Sequence, residues 1–198
     1  MEILLATHNE GKLREIRDLL NGLDVEILSL KDIPQAPVVQ ETGSSFRENA
    51  LLKAETIASF TDKLTIADDS GLEVDALDGK PGIYSARFAG EDARDDENNK
   101  ELLNRLKRVP IEKRGAVFNC AIAIVDPEGK KEIVEGKCSG IIQFEEKGTF
   151  GFGYDPLFFF PEYGKTFAEL TSEVKNTISH RAQAMKKLRE VLEKYLKE

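Results

Sequence analysis

Short apolar runs alternate with helical stripes along this chain. Glu2-Ile3-Leu4-Leu5-Ala6-Thr7 reads as a buried strand, and the segment after it carries Leu13, Ile16, Leu19 and Leu20 on one helical stripe. Val25 to Leu30 predicts a second strand. Ser44-Ser45 before Phe46 is an N-cap signal for a helix to about Phe60, with Ala50, Leu51, Ala54, Ile57 and Ala58 as its buried face. Asn49 and Lys53 are four apart and share another face, which spacing alone reads as solvent-exposed. Thr65-Ile66-Ala67 predicts a strand leaving a core and ending at Asp68-Asp69-Ser70-Gly71. Alternation resumes after that with Leu72, Val74 and Ala76 on one side. A turn at Asp78 to Gly82 and a short helix or loop over Ile83 to Gly90 come next. They lead to a helix near Asp96 to Val109 that buries Leu102, Leu103 and Leu106. Arg114 to Val125 and Lys131 to Phe144 predict a hairpin turning at Asp126-Pro127-Glu128-Gly129. Pro156 to Pro161 fits an edge strand or buried loop. Ser179 opens a last helix with Ala182, Met185, Leu188, Leu192 and Tyr195 as its stripe.

The 198 residues suit a single domain, 1–198, with no repeat and no linker composition. A net charge of −8 argues against a nucleic-acid partner, which calls for a basic patch. It leaves room for a small phosphorylated substrate held by local cations. No apolar run is long enough for a membrane span, and Met1 to Ala6 is acidic where a secretory signal is basic. The expectation is a cytoplasmic protein without a membrane partner. Cys120 and Cys138 have neither metal-ligand spacing nor a disulfide framework, and Cys120 sits in an apolar run that buries a free thiol.

Four polar clusters punctuate this pattern. Thr7-His8-Asn9-Glu10-Gly11-Lys12 lies at a strand-to-helix junction, where free backbone N–H groups and the helix dipole favour phosphate. The same residues also fit a plain helix cap by Asn9 with a solvated Lys12. Asp68-Asp69-Ser70-Gly71 offers paired carboxylates to a hard cation such as Mg²⁺, which takes oxygen ligands. It is equally good turn chemistry. Gly148 to Pro156 alternates glycines with aromatics and ends in an acid, so it can bring a flat ring to a nucleobase or simply complete the core. His180-Arg181 sits in the first turn of the last helix, beside a second positive helix end.

Thr7-His8-Asn9-Glu10-Gly11-Lys12, Ala67-Asp68-Asp69-Ser70-Gly71-Leu72-Glu73-Val74-Asp75-Ala76-Leu77, Phe152-Gly153-Tyr154-Asp155-Pro156 and Ser179-His180-Arg181 occur in that order across nearly the whole chain. Together they resemble the inosine triphosphate pyrophosphatase family, which removes non-canonical purine nucleoside triphosphates. The resemblance implies an α/β fold, a long curved mixed β-sheet flanked by helices, with two lobes and an active site in the cleft between them. It implies Mg²⁺-dependent hydrolysis of dITP, ITP and XTP to the monophosphate and pyrophosphate, commonly by a homodimer. By the same resemblance Asp69 is the general base and a metal ligand, and Glu41 is a metal ligand. Substrate contacts fall to Thr7, His8, Asn9, Glu10, Gly11, Lys12, Lys53, Ser70, Lys175, His180 and Arg181. Phe152, Gly153, Tyr154 and Asp155 line the base pocket, with backbone groups of that loop reading the base edge. A pyrophosphatase for other damaged nucleotides and a non-catalytic nucleotide sensor are the competing expectations.

Overall fold

The computed structural model describes residues 1–196; Lys197 and Glu198, the end of the expected 1–198 domain, lie outside the described residues. The strands are β1 (Glu2–Leu5), β2 (Glu26–Ser29), β3 (Thr65–Val74), β4 (Gly115–Val125), β5 (Lys131–Ile142), β6 (Phe158–Phe160) and β7 (Lys165–Thr166). The helices are α1 (Glu10–Leu20), α2 (Phe46–Thr61), α3 (Asp95–Leu106), α4 (Ser172–Ile178) and α5 (His180–Tyr195). The strands form one seven-stranded sheet in the order β2-β1-β3-β4-β5-β6-β7. β1 runs parallel to β2 and β3, whereas β6 is antiparallel to β5 and β7, so the sheet is mixed, as expected for this α/β chain.

The chain divides into two compact units. The first comprises Met1–Asp69, Cys120–Gly136 and the chain from Arg181 on; the second comprises Ser70–Asn119 and Lys137–His180. In the first unit, strand alternation sorts side chains between two helical layers. Ile3, Leu5 and Ile66 pack with Leu13 and Ile16 of α1 and Leu188 of α5. Leu4, Ala67, Ala121 and Ala123 pack instead with Ala50 and Ala54 of α2. In the second unit, Leu72 and Val74 join Leu102 and Leu106 of α3 and an aromatic group centred on Phe118, Phe158 and Phe167.

Two expectations about local structure are corrected. β3 does not end at the carboxylates: it runs unbroken through Asp68-Asp69-Ser70-Gly71, and no turn forms there. Strand conformation holds because both acids are buried, with 1% and 5% exposure, and each meets cationic or amide partners that replace water. The face of Asn49 and Lys53 is not solvated either. Asn49 is fully buried and the Lys53 side chain is only 14% exposed, because both turn toward β3. The last helix starts at His180, directly after Ser179, but a separate seven-residue helix, α4, precedes it; at two turns it is too short to show a stripe. Both cysteines are buried and neither is in a disulfide, and burial raises the Cys138 thiol pKa to about 12. Among the described residues, no helix is long and apolar enough to cross a membrane.

Candidate active site

The alternation that builds the first unit also separates the two acids of β3. Asp68 has the parity of Ile66, so it points at the layer of α1 and α5. Asp69 has the parity of Ala67 and points at α2. Asp68 Oδ2 lies 2.9 Å from Lys12 Nζ on α1 and 3.3 Å from Arg181 Nη2 on α5. Arg181 Nη1 in turn donates to Glu15, one helical turn beyond Lys12. Burial alone would push the Asp68 carboxyl up, but Lys12, Arg181 and Lys53 outweigh it and hold the group well below the usual carboxylate range. Burial likewise works against the charge of Arg181, yet Glu15 and Asp68 raise its affinity for the proton.

Asp69 has the opposite balance. Asn49 Nδ2 donates to Asp69 Oδ2 at 3.1 Å, while Lys53 Nζ stands 3.8 Å from Asp69 Oδ1 and 2.7 Å from Glu41 Oε1. Burial raises the Asp69 pKa, Lys53 and Lys12 pull it back, Glu41 adds to the rise, and the net shift is upward. Lys53 remains a cation, because Asp69, Asp68 and Glu41 together overcome its desolvation. Asn49 Oδ1 accepts from Gly43 N–H at 2.8 Å, which fixes the segment after Glu41 against α2. A side chain at position 43 would meet Asn49 Oδ1 at 2.7 Å, so glycine permits the approach. One helical turn of α2, from Asn49 to Lys53, therefore orients one carboxylate and bridges it to another.

The oxygen set of Glu41 and Asp69 fits a hard divalent ion. An ammonium already lies within reach of both carboxylates, and Mg²⁺ characteristically takes one or two protein oxygens together with phosphate and water. Among the described residues, no group of three or more His, Cys, Asp or Glu forms a closed metal cage.

At the junction before α1, Asn9 is the N-cap: its Oδ1 accepts from Lys12 N–H at 3.0 Å, and Thr7 Oγ1 accepts from Asn9 N–H at 3.2 Å. The capping reading is therefore realised, while Lys12 is turned inward to Asp68 rather than solvated. His8 is exposed, and Glu10 leaves the cluster to pair with Lys31 at 2.5 Å on the surface.

The second unit gathers Phe152, Gly153, Tyr154, Asp155, Lys175 and His180. Lys175 Nζ and Asp155 Oδ2 are 2.5 Å apart with both side chains almost fully buried, and Lys175 Nζ lies 4.9 Å from the Phe152 ring centroid. Two of the loop's N–H groups are bonded to carboxylates. Phe152 N–H donates to Asp155 Oδ2 at 3.0 Å and Gly153 N–H donates to Asp95 Oδ2 at 2.6 Å. These two amides are thus held by carboxylates of the unit itself. Tyr154 Oη donates to Ser85 O, and Asn99 Nδ2 donates to Gly153 O at 3.1 Å. His180 stacks on Phe118 with 4.7 Å between ring centroids. Asn49, Glu15, Asp95 and Asn99 escape sequence reading. The signal for the first two was i,i+3 or i,i+4 spacing to Lys53 and Lys12; the last two share α3 at i,i+4 spacing.

The profile of the Ham1 family matches residues 3–191. The chain belongs to the Ham1 family. Its similarity to individual proteins extends over nearly its whole length. It is 52% identical over 192 residues to a dITP/XTP pyrophosphatase of Desulforamulus reducens, covering 97% of this chain and 96% of that protein. A dITP/XTP pyrophosphatase of Geobacillus kaustophilus is 53% identical over 189 residues, covering 96% and 93% respectively. The Ham1 protein of Staphylococcus aureus superposes with a TM-score of 0.88 at 42% identity, over 98% of this chain and 100% of that one. A nucleoside-triphosphatase / dITP/XTP pyrophosphatase from Mycobacterium abscessus superposes at 0.77 and 45% identity, over 95% and 98%.

Proposed function

We propose that this Ham1 protein is a dITP/XTP pyrophosphatase that also takes ITP, releasing the nucleoside monophosphate and pyrophosphate. The observation that carries the reading is the split environment of the β3 carboxylates in an acidic chain. Asp68 is locked ionised between Lys12 and Arg181, while Asp69 is held by Asn49 with its proton affinity raised beside Lys53 and Glu41. Adjacent acids pushed apart in this way suit separate structural and proton-transfer roles.

In this reading water attacks the α-phosphorus, the bond from that phosphorus to the bridging oxygen breaks, and pyrophosphate leaves. Asp69 orients the water and takes its proton; a raised pKa makes it a stronger base. Lys12, Lys53 and Arg181 bring positive charge to the triphosphate, with Thr7, His8, Asn9, Gly11 and Ser70 as further contacts. Glu41 and Asp69 would hold Mg²⁺, which when bound neutralises phosphate charge and acidifies water. Phe152 stacks on the purine, and Gly153, Tyr154, Asp155, Lys175 and His180 shape its environment. A cytoplasmic homodimer belongs to the same proposal, on the strength of composition and family resemblance.

The test is pyrophosphate release from dITP, XTP, GTP, ATP and a modified pyrimidine triphosphate, with Mg²⁺ and with a chelator. The expected result is kcat/KM for dITP and XTP about 100-fold or more above ATP, lost on chelation and restored by Mg²⁺. Equal rates for all purines, preference for the pyrimidine, or orthophosphate as product refutes the assignment. Tight nucleotide binding with no turnover makes the chain a sensor instead.

A further inference from the structure

The base loop is braced from outside as well as by its own Phe152–Asp155 bonds. Gly153 has φ +61°, and a side chain there would meet nothing within 4 Å, so its glycine serves backbone conformation and open approach rather than packing. Both polar groups of this residue are taken by one helix. Asp95 Oδ2 accepts from Gly153 N–H at 2.6 Å, and Asn99 Nδ2 donates to Gly153 O at 3.1 Å. Asp95 and Asn99 are one turn apart on α3, and the same helix buries Leu102 and Leu106 in the core of the second unit. The position of Gly153 is therefore set by a rigid element, and with it the directions of Phe152 and Tyr154 on either side.

We infer that Asp95 and Asn99 are positioning residues for nucleobase selection, holding Gly153 so that the Phe152–Asp155 loop meets the purine in one geometry. The inference rests on the pyrophosphatase reading and deepens it. Two observations separate this role from generic packing. The Asp95 side chain lies on the surface, outside the apolar core, yet it makes a short charge-assisted bond to the loop. Asn99 is 2% exposed, and its Oδ1 has no hydrogen-bond partner among the described residues. A buried acceptor left in that state lowers stability, so the amide is poorly explained as a stabilising device. It is well explained by the need to reach Gly153 O.

Such a role separates binding from turnover. Asp95→Ala is expected to raise KM for dITP and XTP about ten-fold or more, the usual weight of one charge-assisted hydrogen bond, with kcat within about two-fold. Its inhibition by inorganic tripolyphosphate stays at the wild-type level, because that ligand has no base. Asp95→Asn keeps an acceptor for Gly153 N–H and restores KM to within about three-fold of wild type. Asn99→Ala repeats the Asp95→Ala pattern, and thermal melting establishes that each variant is folded. Unchanged KM for dITP in folded Asp95→Ala overturns the inference, as does a weakening of tripolyphosphate and dITP by the same factor. An active wild type with those results leaves the pyrophosphatase reading standing. A wild type that releases no pyrophosphate from dITP or XTP overturns that reading and this inference with it.

Discussion

Asp68 can be tested without any assay of activity. Asp68→Asn keeps the shape and an acceptor oxygen but removes the charge that faces Lys12 at 2.9 Å and Arg181 at 3.3 Å. Removing one partner of a buried ion pair costs about 3–5 kcal/mol. Arg181 retains Glu15, and the Lys12 side chain is 14% exposed and so partly solvated. Both facts place the loss near the lower end, about 3 kcal/mol. For a chain of this length each kcal/mol moves the midpoint by about 2–4 °C, so Tm at pH 7 should fall by about 6–12 °C. The pH dependence gives a second reading. The Asp68 pKa is lower folded than unfolded, so its contribution is complete above the unfolded value of about 3.9 and is lost as pH falls through the folded value. The gap between wild type and Asp68→Asn should therefore be flat from pH 7 to about 5 and shrink below about 4. Calorimetry across that range measures it. A Tm within about 2 °C of wild type at pH 7, or a gap unchanged into acid, would show that Asp68 is not the ionised centre of this cluster.

Two further outcomes are expected. Asp69→Asn should lower kcat for dITP by roughly 10²–10⁴-fold with no loss of Tm at pH 7. Burial raises the folded pKa of Asp69, so its stabilising contribution belongs to low pH and is gone once pH rises through that value; a folded variant with normal turnover would remove Asp69 from the chemistry. Gly151→Ala should destabilise the chain by about 2 kcal/mol or more in urea, because Gly151 has φ +76° and a Cβ there would stand 2.0 Å from Asp155 Oδ2; an unchanged midpoint would mean that the loop has another backbone path.

Much of the architecture is legible in the chain because period and caps agree. Asn9 and Ser45 cap the helices they announce, and the Asp126–Gly129 turn joins β4 to β5. What escaped reading is mostly polar residues placed inside. Asn49 and Lys53 look like surface when only their own helix is considered. They are buried because Asp69 of β3, sixteen or more residues downstream, presents a carboxylate to that face. The two acids of β3 resemble a strand end for the same reason: the cations of Asp68 come from α1 and α5, at opposite ends of the chain, and that of Asp69 comes from α2. Arg114 is a third case. Its nearly buried guanidinium donates to the carbonyls of Leu106, Val109 and Gln143, a fit that depends on where two loops arrive. Local patterns report propensity and amphipathic faces, whereas pairing of buried charge is decided by tertiary partners.

The distance along the chain between Asp68 and Arg181, 113 residues, has a consequence during synthesis. At about 5–20 residues per second, the ribosome needs roughly 6–23 s to go from one to the other. Throughout that interval the chain lacks Arg181, one of the cations of Asp68, and Leu188, which covers β1 and β3 in the folded protein. A nascent or prematurely terminated chain therefore carries the complete Asp68-Asp69 sequence without the geometry that sets the two acids apart.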